Sequence, residues 1–296
     1  MRNRRATLVC NLAATLAAAS LCILLSGCIV DRTAGGTGVG NPTKGSVTVA
    51  MVAQDTVPVA KAAAQLVSGP KGNALGKAGA MTRNPDGSFD IRDAGGTVFT
   101  VRTGYANVGR IRIALPDGVD CTQADETACQ SGEVSIDGPW VSDLMTGKWI
   151  PDPGTVRIPL GVYKRLEVRL ESQDKVASGA PDLGRHSLVF GGTFNWSGRA
   201  DRPFTVALDF DEDERFESPT GFAVAEGSTT ITVSLDIARW LSQANLTACL
   251  ENGSLALDSA GGFAFEKDGG CGIEQEMKDA IKASGTVSGK HGGEGP

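Results

Sequence analysis

The 296-residue sequence predicts a mainly β fold: an antiparallel β-sandwich with a short C-terminal helix. Three observations carry that reading. Apolar and polar residues alternate in run after run along the chain. Clusters of Pro, Gly, Asn and Asp punctuate the runs. Helical spacing of apolar residues is rare. Strands with one dry and one wet face build antiparallel sheets, and two such sheets bury their dry faces against each other.

The runs come in order from Ser46. Ser46 to Ala53, SVTVAMVA, opens the alternation. Pro85-Asp86-Gly87 follows as a turn, with Pro presetting φ and Gly taking a positive one. In RIRIAL, Ile111, Ile113 and Leu115 share one face. Residues 156–170 give the fullest pattern. Val156, Ile158, Leu160, Val162, Leu166, Val168 and Leu170 have one parity; Arg157, Tyr163, Arg165, Glu167 and Arg169 have the other; Lys164 is the exception. Pro159 and Gly161 divide this stretch into two strands with a bend between them. Phe204, Val206, Leu208 and Phe210 alternate again, as do Ile231, Val233, Leu235 and Ile237.

Two segments break the two-residue period. In residues 236–243, Ile237, Trp240 and Leu241 fall on one side of a helix. In residues 272–285, Ile273, Met277 and Ile281 recur at helical spacing. Glu274 and Glu276 stand at the N-terminal end, Lys278 and Lys282 toward the C-terminal end, and Gly285 stops the helix. Residues 286–296, Gly-rich and polar, read as a disordered tail. The domain therefore spans 46–285. The long polar insertion at 115–134 either sits within it or divides it into two units.

The N-terminus decides the compartment. Met1-Arg2-Asn3-Arg4-Arg5 is a positive n-region, and Ala6 to Leu25 carries no charge. Residues 1–27 thus read as a signal peptide. Its end, Leu25-Ser26-Gly27-Cys28, resembles the lipobox of bacterial lipoproteins: an aliphatic residue, two small residues and a Cys. The resemblance implies a thioether-linked diacylglycerol, palmitate-type acylation, on Cys28, and cleavage just before it. One acyl chain anchors marginally and two or more anchor stably. Ile29 stands where an Asp would imply inner-membrane retention, so the resemblance implies the outer membrane. Residues 28–45, Gly- and Thr-rich, form a flexible tether with a reach of roughly 20–25 Å. Gly36, Gly38 and Gly40 follow no strand and open no helix, so they make no phosphate loop.

Of the seven cysteines, Cys10, Cys22 and Cys28 belong to the signal and the anchor. Cys121, Cys129, Cys249 and Cys271 remain, an even set in an exported chain. The expected pairing is sequence-local, Cys121–Cys129 and Cys249–Cys271. The absence of C-x-x-C and the presence of only two His argue against zinc.

A second resemblance covers about residues 97–237. GPWVSDLMTG at 138–147 and IPDPGTVRIPLGVYKRLEVRLE at 150–171 look like a pattern from uncharacterised envelope lipoproteins. It implies an immunoglobulin/transthyretin-like β-sandwich and says nothing on chemistry.

Candidate chemistry is sparse. In LDFDEDERFE, residues 208–217, Asp209, Asp211 and Asp213 recur at every second position. Extended backbone puts them on one face, where a calcium ion would relieve their repulsion. The run is no EF-hand: Glu214 stands where Gly is needed, and Thr220 where a bidentate Glu is needed. A solvated hairpin tip, or an edge strand that uses charge to block aggregation, is the other reading. Trp140, Trp149 and Trp196 lie near turns and either pack there or stack on sugar rings. His186 and His291 are the only histidines, no G-x-S-x-G occurs, and no carboxylate pair stands out as a glycosidase couple. The formal net charge of −6 becomes more acidic once Arg2, Arg4 and Arg5 leave. That excludes nucleic acid as a partner and leaves the lipid as the membrane contact. The expectation is a lipid-anchored cell-envelope protein whose non-catalytic sandwich binds a glycan, a cation or an envelope protein, or serves structurally. The alternatives are a carbohydrate-active hydrolase with unassigned carboxylates and an accessory subunit of a secretion or transport complex.

Overall fold

The computed structural model describes residues 44–54, 81–123, 129–266 and 271–292. The signal segment, Cys28 and the tether up to residue 43 lie outside the described residues, as do residues 124–128 of the Cys121–Cys129 loop.

The protein is mainly β, as the alternation predicts. One four-stranded sheet contains β1 (Lys44–Gln54), β8 (Val156–Pro159), β13 (Ser228–Asp236) and β15 (Gly285–His291), in the order β15-β13-β1-β8. The other, eleven-stranded, has the backbone order β12-β9-β4-β10-β11-β14. Here β4 is Val98–Ala114, β9 Gly161–Leu170, β10 Leu188–Trp196, β11 Arg199–Leu208, β12 Glu212–Val224 and β14 Phe263–Phe265. Off this path lie β2 (Met81–Arg83), β3 (Phe89–Arg92), β5 (Cys129–Gln130), β6 (Glu133–Asp143) and β7 (Lys148–Ile150). The inner faces of both sheets share one core, with Val47, Met51, Ile231 and Val233 from the smaller and Phe99, Ile111, Leu166 and Val206 from the larger.

The sheets are mixed rather than purely antiparallel. β1 pairs with β13 in parallel, and β11 with β14. Alternation cannot tell these cases apart, because inner and outer faces alternate identically in both directions. The chain changes sheets at the predicted bend. β8 pairs with β1 and ends at Pro159; β9 begins at Gly161 and pairs with β4 and β12. The Tyr163 hydroxyl donates to the Pro159 carbonyl at 2.7 Å and ties the corner.

Near that corner the expected parity reverses. Tyr163, assigned to the wet face, is fully buried and stacks on Phe222, whereas Val162, assigned to the dry face, is 53% exposed. Lys164 and Arg165 both point outward, and from Leu166 the pattern runs as predicted. Opposite, the register of β12 slips between Glu217 and Phe222. The unpaired residues let both strands change face together.

The 115–134 insertion is no domain boundary. β4 and β6 pair directly, from Tyr105↔Asp143 to Ala114↔Glu133, so the loop is an excursion between neighbouring strands of one sheet. The C-terminal reading also needs correction. Residues 286–291, expected to be disordered, continue from Gly285 as β15 along the edge of β13. Glycine makes this possible: a Cβ on Gly285 would lie 2.0 Å from the Phe216 ring, and one on Gly289 would lie 2.8 Å from Phe222.

Both predicted helices form: α1 (Ile237–Gln243), burying Ile237, Trp240 and Leu241, and α3 (Glu274–Ser284), burying Met277 and Ile281. A third, α2 (Leu246–Glu251), had no clear periodicity to announce it. It is held by a buried carboxylate. Asp93, between β3 and β4, accepts from the Thr97 amide at 2.9 Å, the Thr247 amide at 2.7 Å and the Thr247 hydroxyl at 2.8 Å.

Candidate functional site

The polar residues of β4, β6, β9 and β12 converge on the outer face of the larger sheet. Strand alternation sends Arg110, Arg112, Arg165, Glu167, Arg169, Asp213 and Arg215 to that side, and register sets opposite charges across from one another: Arg112↔Glu167, Glu167↔Arg215 and Arg169↔Asp213. The contacts are close. Arg112 reaches Asp213 at 2.6 Å and Glu167 at 3.1 Å; Arg165 reaches Glu133 at 2.6 Å; Arg215 reaches Glu167 at 3.0 Å. Arg169 holds Asp211 at 2.5 Å and Glu171 at 3.5 Å. The one like-charge neighbour pair, Arg110 opposite Arg169, has Asp213 at 3.4 Å from Arg110.

This network relocates the acidic run. Asp211 and Asp213 lie against guanidinium groups. Asp209 is turned away to the His186 Nδ1, 2.9 Å distant. Asp211 and Asp213 share Arg169, Asp213 also meets Arg110 and Arg112, and Asp209 pairs with His186. Among the described residues, no group of three or more metal-ligating side chains converges. His186 serves the same loop, where the neighbouring Ser187 hydroxyl donates to the Leu208 carbonyl and accepts from the Phe210 amide.

Trp140 and Trp149 are core residues. They meet edge to face, with centroids 6.3 Å apart, and both are buried. Trp149 also closes an edge. β8 pairs only with the first residues of β1, Lys44 to Val47. Beyond them the Trp149 indole N–H donates to the Val49 carbonyl at 2.6 Å, the Ser142 hydroxyl donates to the Met51 carbonyl, and the Ala53 amide donates to the Leu144 carbonyl. These side-chain and turn groups satisfy backbone that a neighbouring strand would otherwise pair. Trp196 is half-buried at the β10–β11 turn, with the Arg202 guanidinium 5.9 Å above its ring.

The acidic run also holds a residue that sequence reasoning missed. Glu214 points inward, between Asp213 and Arg215, and its side chain is 10% exposed. Glu212 and Lys282 accompany it: Lys282 Nζ lies 2.6 Å from Glu212 and 3.8 Å from Glu214 Oε1, which has no hydrogen-bond partner. Burial pushes the Glu214 carboxyl up to about 7, against the opposing pull of Lys282. Burial pulls Lys282 down, but its bond to Glu212 and the nearby carboxylates outweigh that and leave it above its ordinary value. The signal was present in the sequence, since Glu214 has the same parity as Phe216, a core residue.

Both expected disulfides form, Cys121–Cys129 and Cys249–Cys271. Crosslinks of this kind belong to oxidising compartments, so the β domain is extracytoplasmic. Among the described residues no helix is long and apolar enough to cross a membrane.

No protein-family model matches the chain, and no curated protein matches it in sequence. Among solved structures, MbnP from Methylosinus trichosporium is similar over 67% of this chain and 77% of that one, at 14% identity and a TM-score of 0.27.

Proposed function

We propose that the protein is a bacterial outer-membrane lipoprotein, anchored through Cys28, whose tethered β-sandwich is a non-catalytic binding or structural module of the cell envelope. The observation that carries this reading is the pair of sequence-local disulfides, which agrees with export along the route that the signal and lipobox describe. The surface chemistry supports a non-catalytic role. Arg110, Arg112, Arg165, Arg169 and Arg215 each have a carboxylate beside them, which leaves this face of β4, β9 and β12 neutralised rather than a pair of free acids flanking a cleft. Large apolar side chains exposed among the described residues are Val162, Val176 and Leu257, far apart in the sequence. So few exposed large apolar side chains favour a module that meets its partner through polar contacts over a subunit docked by a broad apolar patch.

The test is the fractionation of full-length protein in a bacterial host that carries the lipoprotein pathway. The parent should sediment with the outer membrane. Cys28→Ala, which removes the sulfur that forms the thioether, should not be acylated or cut at the lipobox. Unchanged processing and unchanged lipid content in that variant would overturn the proposal.

A further inference from the structure

The C-terminal segment is fastened to the sandwich in an uneven way. α3 buries Met277, Ala280 and Ile281, and the chain passes at once into β15, whose Gly285 and Gly289 lie against Phe216 and Phe222 of β12. At the joint, Lys282 in the last turn of α3 meets Glu212 and Glu214 of β12. Glu212 is part-exposed and bonded. Glu214 is turned into a crevice between the sheets.

The crevice wall is apolar, with Met51, Ala106, Val168, Leu170, Leu188 and Leu235 facing Glu214 from β1, β4, β9, β10 and β13. The charged groups near it are therefore Glu212 on its own strand and Lys282 on α3. Asp279, also on α3, acts on Lys282. Lys278, one turn earlier, is engaged by Glu274 at 2.7 Å. The space left is about 10 Å³, room for about one water. An ionised carboxylate accepts several hydrogen bonds. Here Oε1 has none, and the ammonium at 3.8 Å is beyond bonding distance. A protonated carboxyl tolerates this place far better than a carboxylate does.

We propose that Glu214 and Lys282 form a proton-operated latch: the α3–β15 segment stays docked while the Glu214 carboxyl is protonated, and opens more readily once it ionises. Opening lets the carboxylate reach water and leaves the edge of β13 without its partner strand. The uneven burial of the joint carries the idea, and the upward displacement of Glu214 to about 7 places the switch in the neutral range. The sign follows from proton linkage. The docked state holds its proton up to higher pH than the open state, so the opening constant rises as pH climbs from the ordinary Glu value toward 7 and then levels off. The rise between pH 5 and 7.5 is on the order of tens of fold.

Amide hydrogen exchange of residues 274–291 in the full-length protein tests this, with rates corrected for the intrinsic effect of pH. The parent should open tens of fold more at pH 7.5 than at pH 5, and Glu214→Gln should show almost no such dependence. Equal pH dependence in parent and variant, or none in the parent, would overturn the latch. Should Glu214→Gln misfold, carboxyl-carbon NMR of the parent decides. Titration of Glu214 near neutrality supports the latch, and titration in the ordinary carboxylate range contradicts it.

Discussion

Asp213 and Glu214 are neighbours on one strand and live in opposite worlds. Asp213 faces out, 2.6 Å from Arg112 and 3.4 Å from Arg110. Glu214 faces in, with one oxygen unpartnered and a lysine at 3.8 Å. Strand alternation alone separates them. The comparison teaches that a run of acids is not a chemical unit. LDFDEDERFE reads as one negative patch, but the fold splits it into outward Asp211 and Asp213, neutralised by arginine, and inward Glu214, which carries a desolvation cost.

Substitutions break this comparison one residue at a time. Glu214→Gln has the largest expected effect. The folded-state value of Glu214 lies above its ordinary value of 4.5, so its stabilising contribution is full below that pH and is lost as pH rises to about 7. At pH 8 the variant should therefore exceed the parent by about 3 kcal/mol in urea unfolding, and at pH 4 the gain should vanish. On the outer face the sign reverses. Glu167, whose side chain is 8% exposed, meets Arg112, Arg165 and Arg215, so Glu167→Gln should lose about 2 kcal/mol. Asp213→Asn, at a half-exposed site, should lose about 1 kcal/mol in the same measurement. Asp211→Asn should change stability by less than about 0.5 kcal/mol, because Asp211 is 77% exposed. The arginine pairing also predicts that calcium and chelator leave the melting temperature of the parent unchanged. A calcium-dependent rise that Asp211→Ala/Asp213→Ala abolishes would support the cation reading.

Much of the fold was legible in the sequence because it rests on short-range patterns. The Pro159–Gly161 bend, the α1 and α3 faces and the two disulfide pairs follow from local residue chemistry. Lys164, the single exception in the 156–170 alternation, marked the place where the strand changes face, but periodicity alone does not tell which side inverts. What depends on distant partners was not legible. The parallel β1–β13 pairing joins residues far apart in the chain. β15 looked like a disordered tail because it is rich in glycine, and the reason for the glycine lies in the Phe216 and Phe222 rings it packs against. The arginine partners of Asp211 and Asp213 come from β4 and β9, so the acidic run alone pointed to a cation.

The most direct test of the envelope-lipoprotein account is the intact mass of the protein extracted from bacterial membranes, measured before and after reduction. The account predicts a chain that begins at Cys28, carries diacylglycerol and acyl mass on that residue, and gains two hydrogens for each of the two disulfides on reduction. A chain with no lipid, or one that retains residues 1–27, would contradict it.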